Sequence, residues 1–165
     1  MRDEIFPVVD EQGRVVGSAR RSEVHGNPKL VHPVVHCLVV NTRGDLLLQR
    51  RSLRKDIQPG RWDTSVGGHV AFGETIEQAL LREMQEEIGL DAKSVTPTEL
   101  YQYVHRNAIE SELVHTYACV SDGPFARQQD EIDELRFWSI AEIERSLHSA
   151  VFTSALPRSL REIAS

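Results

Sequence analysis

The chain is poor in cysteine: among 165 residues only Cys37 and Cys119 occur. Two thiols cannot build a disulfide framework, and their spacing matches neither a zinc knuckle nor a redox motif, so a reducing cytoplasm is expected. No apolar run approaches 18 residues, so no membrane-spanning helix is expected. Met1 to Asp10 mixes charges instead of placing a basic stretch before an apolar block, so no secretory signal is read there. Positive charge is short as well. Nineteen Lys plus Arg stand against 25 Asp plus Glu, a formal charge of −6 with a pI near 5.6. That is the wrong sign for a phosphate-backbone binder, and no stable nucleic-acid partner is expected. Aromatics are few, but 40% hydrophobic and 27% charged residues exclude the apolar-poor, charge-rich balance of disordered chains. Length argues for one domain spanning 1–165 with a real core.

Turn chemistry divides the chain. Phe6 to Asp10 and Arg14 to Ala19 flank Glu11-Gln12-Gly13 and read as a hairpin, with the N-terminal unit at about 5–20. Arg20 to Leu30 is polar, and Gly26-Asn27-Pro28 breaks any regular element. Val31 to Asn41 reads as a buried strand, and Thr42-Arg43-Gly44-Asp45 turns it into Leu46-Leu47-Leu48, so Val34 to Gln49 reads as a second hairpin. A basic stretch follows, with Arg50, Arg51, Arg54 and Lys55, and then a turn at Pro59-Gly60. Thr75 to Ile88 has helical periodicity, with Thr75 and Gln78 as a capping box and Gly89 at the C-terminal end. Tyr101 to Val104, Leu113 to Val120 and Ile132 to Trp138 read as strands. Ser139 with Glu142 opens a helix to about His148, and Ser154 to Ala164 reads as a last short helix. Antiparallel strands with helices inserted late favour an α+β architecture over a doubly wound parallel sheet.

One helix carries chemistry. At 100° per residue Ile76, Leu80, Met84 and Ile88 form an apolar stripe, with Gln78, Arg82 and Gln85 on the far side. Glu83 and Glu87 project beside Ile76 and Leu80, with Glu86 adjoining. Like charges at this spacing repel, and burying unpaired carboxylates costs far more. A cation is expected among them, and a hard, oxygen-seeking ion such as Mg²⁺ or Mn²⁺ suits three carboxylates and a phosphate.

The run Gly68-His-Val-Ala-Phe-Gly-Glu74, seven further residues, then Arg82-Glu83-Met84-Gln85-Glu86-Glu87-Ile88-Gly89-Leu90 resembles the Nudix box, G-x5-E-x7-R-E-U-x-E-E-x-G-U, at every position. The resemblance implies a Nudix-type α/β/α sandwich with a mixed sheet and a metal-binding loop–helix at about 66–90. It implies hydrolysis of a nucleoside diphosphate derivative or a related small diphosphate. By position Glu83, Glu86 and Glu87 would hold the metal, Gly68 would add its carbonyl, and Arg82 with Glu74 would brace the loop–helix junction. Such a metal neutralises the diphosphate and activates the attacking water. Arg51 and Lys55 are candidate diphosphate clamps, and loops at 102–111 and 121–130 are candidate selectivity elements. A homodimer is expected only by analogy.

A second resemblance runs from about His25 to Trp138. His25 and His32, Arg51 and Lys55, Pro59-Gly60-Arg61-Trp62, Gly68-His69 and Glu110-Ser-Glu112 resemble type I isopentenyl-diphosphate isomerase, a relative on the same scaffold. In that family three histidines and two glutamates bind one metal, which implies a second site at His25, His32, His69, Glu110 and Glu112. Isomerisation needs an acid and a base across the carbon skeleton, and the isomerase uses a cysteine with a glutamate. At the cysteine position this chain has Gly67, and its box keeps Glu83 and Glu86 where the isomerase's is degenerate. Both departures favour hydrolysis, with isomerase and a catalytically idle nucleotide-binding domain as the alternatives.

Overall fold

The structure, a computed structural model, describes residues 3–154 and Leu156. Strands β1 (Ile5–Val9) and β2 (Val15–Arg20) pair antiparallel. They turn at Gly13, where φ is 84° and a side chain would be strained. Phe6, Ala19 and Val24 give this ribbon a small core of its own. One helical turn, α1 (Arg21–Val24), follows where the polar composition suggested no regular element. The Glu23 carboxylate closes it by accepting from the Arg20 amide at 2.6 Å.

The main sheet has seven strands: β3 (Val31–Val40), β4 (Leu46–Arg51), β5 (Trp62–Asp63), β6 (Val66–His69), β7 (Thr98–Arg106), β8 (Ser111–Val120) and β9 (Ile132–Trp138). β3 runs through its centre, parallel to β8 from Val31↔Ser111 to Val40↔Val120 and antiparallel to β6 from Val34↔His69 to Cys37↔Val66. The expected hairpin from Val34 to Gln49 therefore exists only at its mouth, where Val40 opposes Leu46. A strand has two edges, and β6 and β8 occupy both edges of β3. β4 diverges and pairs instead with β9, from Leu46↔Trp138 to Arg51↔Ile132, and with β5. β5 and β6 are short, two and four residues.

Alternation along β3 and β8 builds the layers. Val35, Cys37, Val39, Tyr117 and Cys119 face α2 (Ile76–Ile88) and pack with its Leu80, Met84 and Ile88. The Cys37 and Cys119 sulfurs lie 3.9 Å apart in this core as free thiols. On the opposite face Leu38, Leu46, Leu48 and Trp138 pack with Phe152, Leu156 and Ile143 of α3 (Ile140–Ser146). The result is a mixed sheet between helices, as expected. α2 begins with the expected capping box, in which the Thr75 hydroxyl accepts from the Gln78 amide at 3.1 Å. It ends on Gly89 at φ 68°. Apart from Ser154 and Leu156, the helix expected at Ser154 to Ala164 lies outside the described residues. No helix of the described chain is long and apolar enough to cross a membrane.

Candidate active site

The α2 carboxylates meet two strands of the sheet. Glu87 is 7% exposed, and its Oε1 accepts from Gln49 Nε2 at 2.7 Å and from the Gly67 amide at 3.4 Å. Burial first, and then the Glu83 carboxylate beside it, push the Glu87 carboxyl well above the ordinary value of 4.5. Among the described residues no cation pairs with Glu87. Glu83 lies directly over Gly68: a Cβ there would be 2.3 Å from its Cδ, so the close approach of helix and strand requires glycine. Glu86 is half exposed and is joined to Glu83 through Arg82, whose Nη1 reaches Glu83 Oε1 at 2.7 Å and Glu86 Oε2 at 3.3 Å.

Arg82 corrects the helical-wheel reading. It does not point away with Gln78 and Gln85 but folds back over the preceding loop. Its Nε and Nη2 donate to Glu74 at 2.8 and 2.9 Å, and Nη2 also donates to the His69 carbonyl at 3.0 Å. Glu74 in turn accepts from the Ala71 amide at 3.0 Å. The guanidinium holds Glu74 below its ordinary value. One planar cation thus ties loop, strand end and helix together, a geometry that a bidentate fork supplies and a lysine does not.

The five residues of the second set converge more tightly than the helix glutamates. Donor atoms of His25, His32 and His69 lie within 4.8 Å of one another, as do those of His32, Glu110 and Glu112. Glu83, Glu86 and Glu87 form no such group. His25 Nε2 is 3.1 Å from Glu110 Oε2, and His32 Nε2 is 3.8 Å from both Glu110 and Glu112. Glu110 immediately precedes β8, and its Oε2 has no hydrogen-bond partner. His32 is fully buried with neither ring nitrogen hydrogen-bonded. Burial, and then the charge of His25, lower His32 to about 4. Burial likewise lowers His69, and burial followed by Glu110 raises Glu112 to about 8. Phe6 stacks on His69 at 4.7 Å and on His32 at 5.6 Å, so the N-terminal ribbon supports the cluster from below.

The basic stretch is partly engaged. Arg51 Nε donates to the Ile57 carbonyl at 3.0 Å, with Nη1 3.7 Å from Asp63, and Lys55 pairs with Glu131. Sequence reading missed Gln49, which steadies Glu87. Its signal is a polar residue two positions after buried Leu47, on the same face of β4. The stretch at 102–111, read as a loop, is mostly the end of β7 and its turn into β8.

Residues 30–156 match the family model described as the NUDIX domain. The chain belongs to the Nudix family. This Nudix protein is 35% identical over 157 residues to an isopentenyl-diphosphate Delta-isomerase of Corynebacterium diphtheriae, covering 90% of this chain and 86% of that one. It is 45% identical over 101 residues to a Nudix hydrolase of Nostoc, covering 61% and 59%. Its backbone matches the crystal structure of DR0079 from Deinococcus radiodurans with a TM-score of 0.82 at 25% identity, over 96% and 98% of the two chains. As a member of this family it is a pyrophosphohydrolase acting on phosphoric anhydrides.

Proposed function

We propose that the protein is a divalent-metal-dependent hydrolase, using Mg²⁺ or Mn²⁺, that cleaves a diphosphate linkage in a nucleoside diphosphate derivative or a related small diphosphate. The observation that carries this reading is Glu87: a buried carboxylate, pressed against a second carboxylate and holding no cationic partner among the described residues. Such a pair is costly unless a cation joins it, and the cradle that Gly68 leaves for Glu83 supports the same fit. Glu83, Glu86 and Glu87, with the Gly68 carbonyl, would hold the metal, which when bound offsets diphosphate charge and acidifies water. Gln49 fixes one Glu87 oxygen by donating to it, which leaves the other for the metal. Arg82 and Glu74 fix the loop, while Arg51 and Lys55 supply positive charge for the phosphates. His25, His32, His69, Glu110 and Glu112 form a second proposed metal site. Burial disfavours the charged forms of His32 and His69, and the neutral imidazole is the form that binds a metal.

Replacing Glu87 tests the main reading. The Glu87→Gln variant keeps the shape and the Gln49 contact, and turnover of a diphosphate substrate should fall about a thousandfold with the circular dichroism spectrum unchanged. Near-normal turnover would remove Glu87 from the machinery. The identity to an isomerase favours a second reading, allylic isomerisation, but Gly67 has no side chain to move a proton. Incubated in D₂O with isopentenyl diphosphate and Mg²⁺, the protein should incorporate no deuterium into carbon; metal-dependent incorporation would establish isomerisation instead.

A further inference from the structure

Across the sheet from α2, β3 and β8 place two polar side chains side by side. His36 opposes Thr116 in the parallel register, and both alternate with residues packed beneath α2, so they face away from that helix. Thr116 is fully buried and its Oγ1 has no hydrogen-bond partner; His36 Nδ1 is likewise buried without one. Next to them Gly67 opposes His36 from the other edge of β3. A Cβ at position 67 would lie 3.3 Å from His36 Cδ2 and 3.6 Å from its Nε2. The imidazole therefore sits where a residue-67 side chain would press on it, one residue from Gly68. Thr116 is paired on its far side with Tyr101, whose ring stacks on Tyr103 at 5.9 Å. Burial keeps the His36 imidazole uncharged, although Asp63 opposes this.

Buried polar atoms in folded proteins are almost always satisfied, and two unsatisfied atoms on adjacent strands beside the catalytic loop point to a missing partner. A hydrocarbon placed against them would leave both without hydrogen bonds. A group with its own donor and acceptor would satisfy them, and this difference is the strongest form of discrimination that a binding site has. We propose that His36 and Thr116 form a specificity subsite that hydrogen-bonds a polar, uncharged group in the organic half of the diphosphate substrate and disfavours hydrocarbon there. The proposal rests on the hydrolase reading for its substrate's diphosphate, but its own residues touch only the other half.

Two uncleavable ligands with the same phosphate end separate the parts: α,β-methylene-ADP and the dimethylallyl ester of methylenediphosphonate, titrated calorimetrically with Mg²⁺ present. The wild-type protein should bind the first about tenfold more tightly or better, and Thr116→Val and His36→Leu should each weaken it by about tenfold while leaving the dimethylallyl ligand within about twofold. Equal losses for both ligands, or none in variants with unchanged circular dichroism, would overturn the proposal. A second readout needs no variant. The ¹⁵N imidazole resonances of His36 should shift with α,β-methylene-ADP and not with inorganic pyrophosphate; equal shifts with both would show that His36 senses only the phosphates. The Glu87→Gln variant should retain this selectivity while losing turnover, so failure of the catalytic assignment and failure of the subsite are read in different measurements.

Discussion

A buried carboxylate is stable only with a partner, and the residues around Glu87 divide that task. Gln49 supplies a neutral donor, while Arg82 is committed to Glu74, Glu83 and the His69 carbonyl. Gly68 is where geometry is least forgiving, because a methyl group there would lie 2.3 Å from Glu83 Cδ. Gly68→Ala should displace the Glu83 carboxylate and lower turnover about a hundredfold, because misplacing a reacting group by about 1 Å has that scale of effect. The fold, followed by circular dichroism, should persist. The box residues were legible one by one, since their types and spacing are local in sequence. Gln49 was not, because its partner is 38 positions away.

At the level of elements, α2 was the most readable part of the chain. Its cap, apolar stripe and terminal glycine each follow from short-range sequence rules and agree with one another. Thr75→Ala removes one hydroxyl acceptor at the first turn. It should cost about 1 kcal/mol, lowering the melting temperature by about 2–4 °C with kcat unchanged, because the cap lies two turns before Glu83. A large loss of kcat would mean that the first turn positions the carboxylates. The strands were less legible. Val34 to Gln49 has the pattern of a hairpin, yet pairing was decided by competition for the edges of β3, which involves residues up to Val120. β5 and β6 carry too few residues for alternation to register, and Gly67-Gly68 hides the strand character of β6.

For the whole molecule, burial of both acids and bases sets a pH dependence. The folded chain raises Glu112 from 4.5 to about 8 and raises Glu87 well above its ordinary value. Their ionisation opposes folding, so stability is lost as pH rises from about 4.5 toward 8. His32 is lowered from 6.5 to about 4. Its neutral form is favoured by folding, so stability is lost as pH falls from about 6.5 toward 4. The metal-free protein should therefore show its highest melting temperature between about pH 4.5 and 6.5. Added Mg²⁺ or Mn²⁺ should raise the melting temperature more at pH 8 than at pH 5, because ionised carboxylates and neutral imidazoles are what a cation binds. A metal effect that is equal at both values would detach the carboxylates from the binding. The sequence by itself determined the fold class, the acidic helix and the Nudix chemistry, because each is written in periods and spacings of a few residues. Only the tertiary structure decided that β4 pairs with β9 instead of folding back on β3, that Gln49 reaches Glu87, and that His36 stands opposite Thr116. Those contacts join segments separated by up to about a hundred residues, and strand register and the competition for strand edges fix them, neither of which a local pattern encodes.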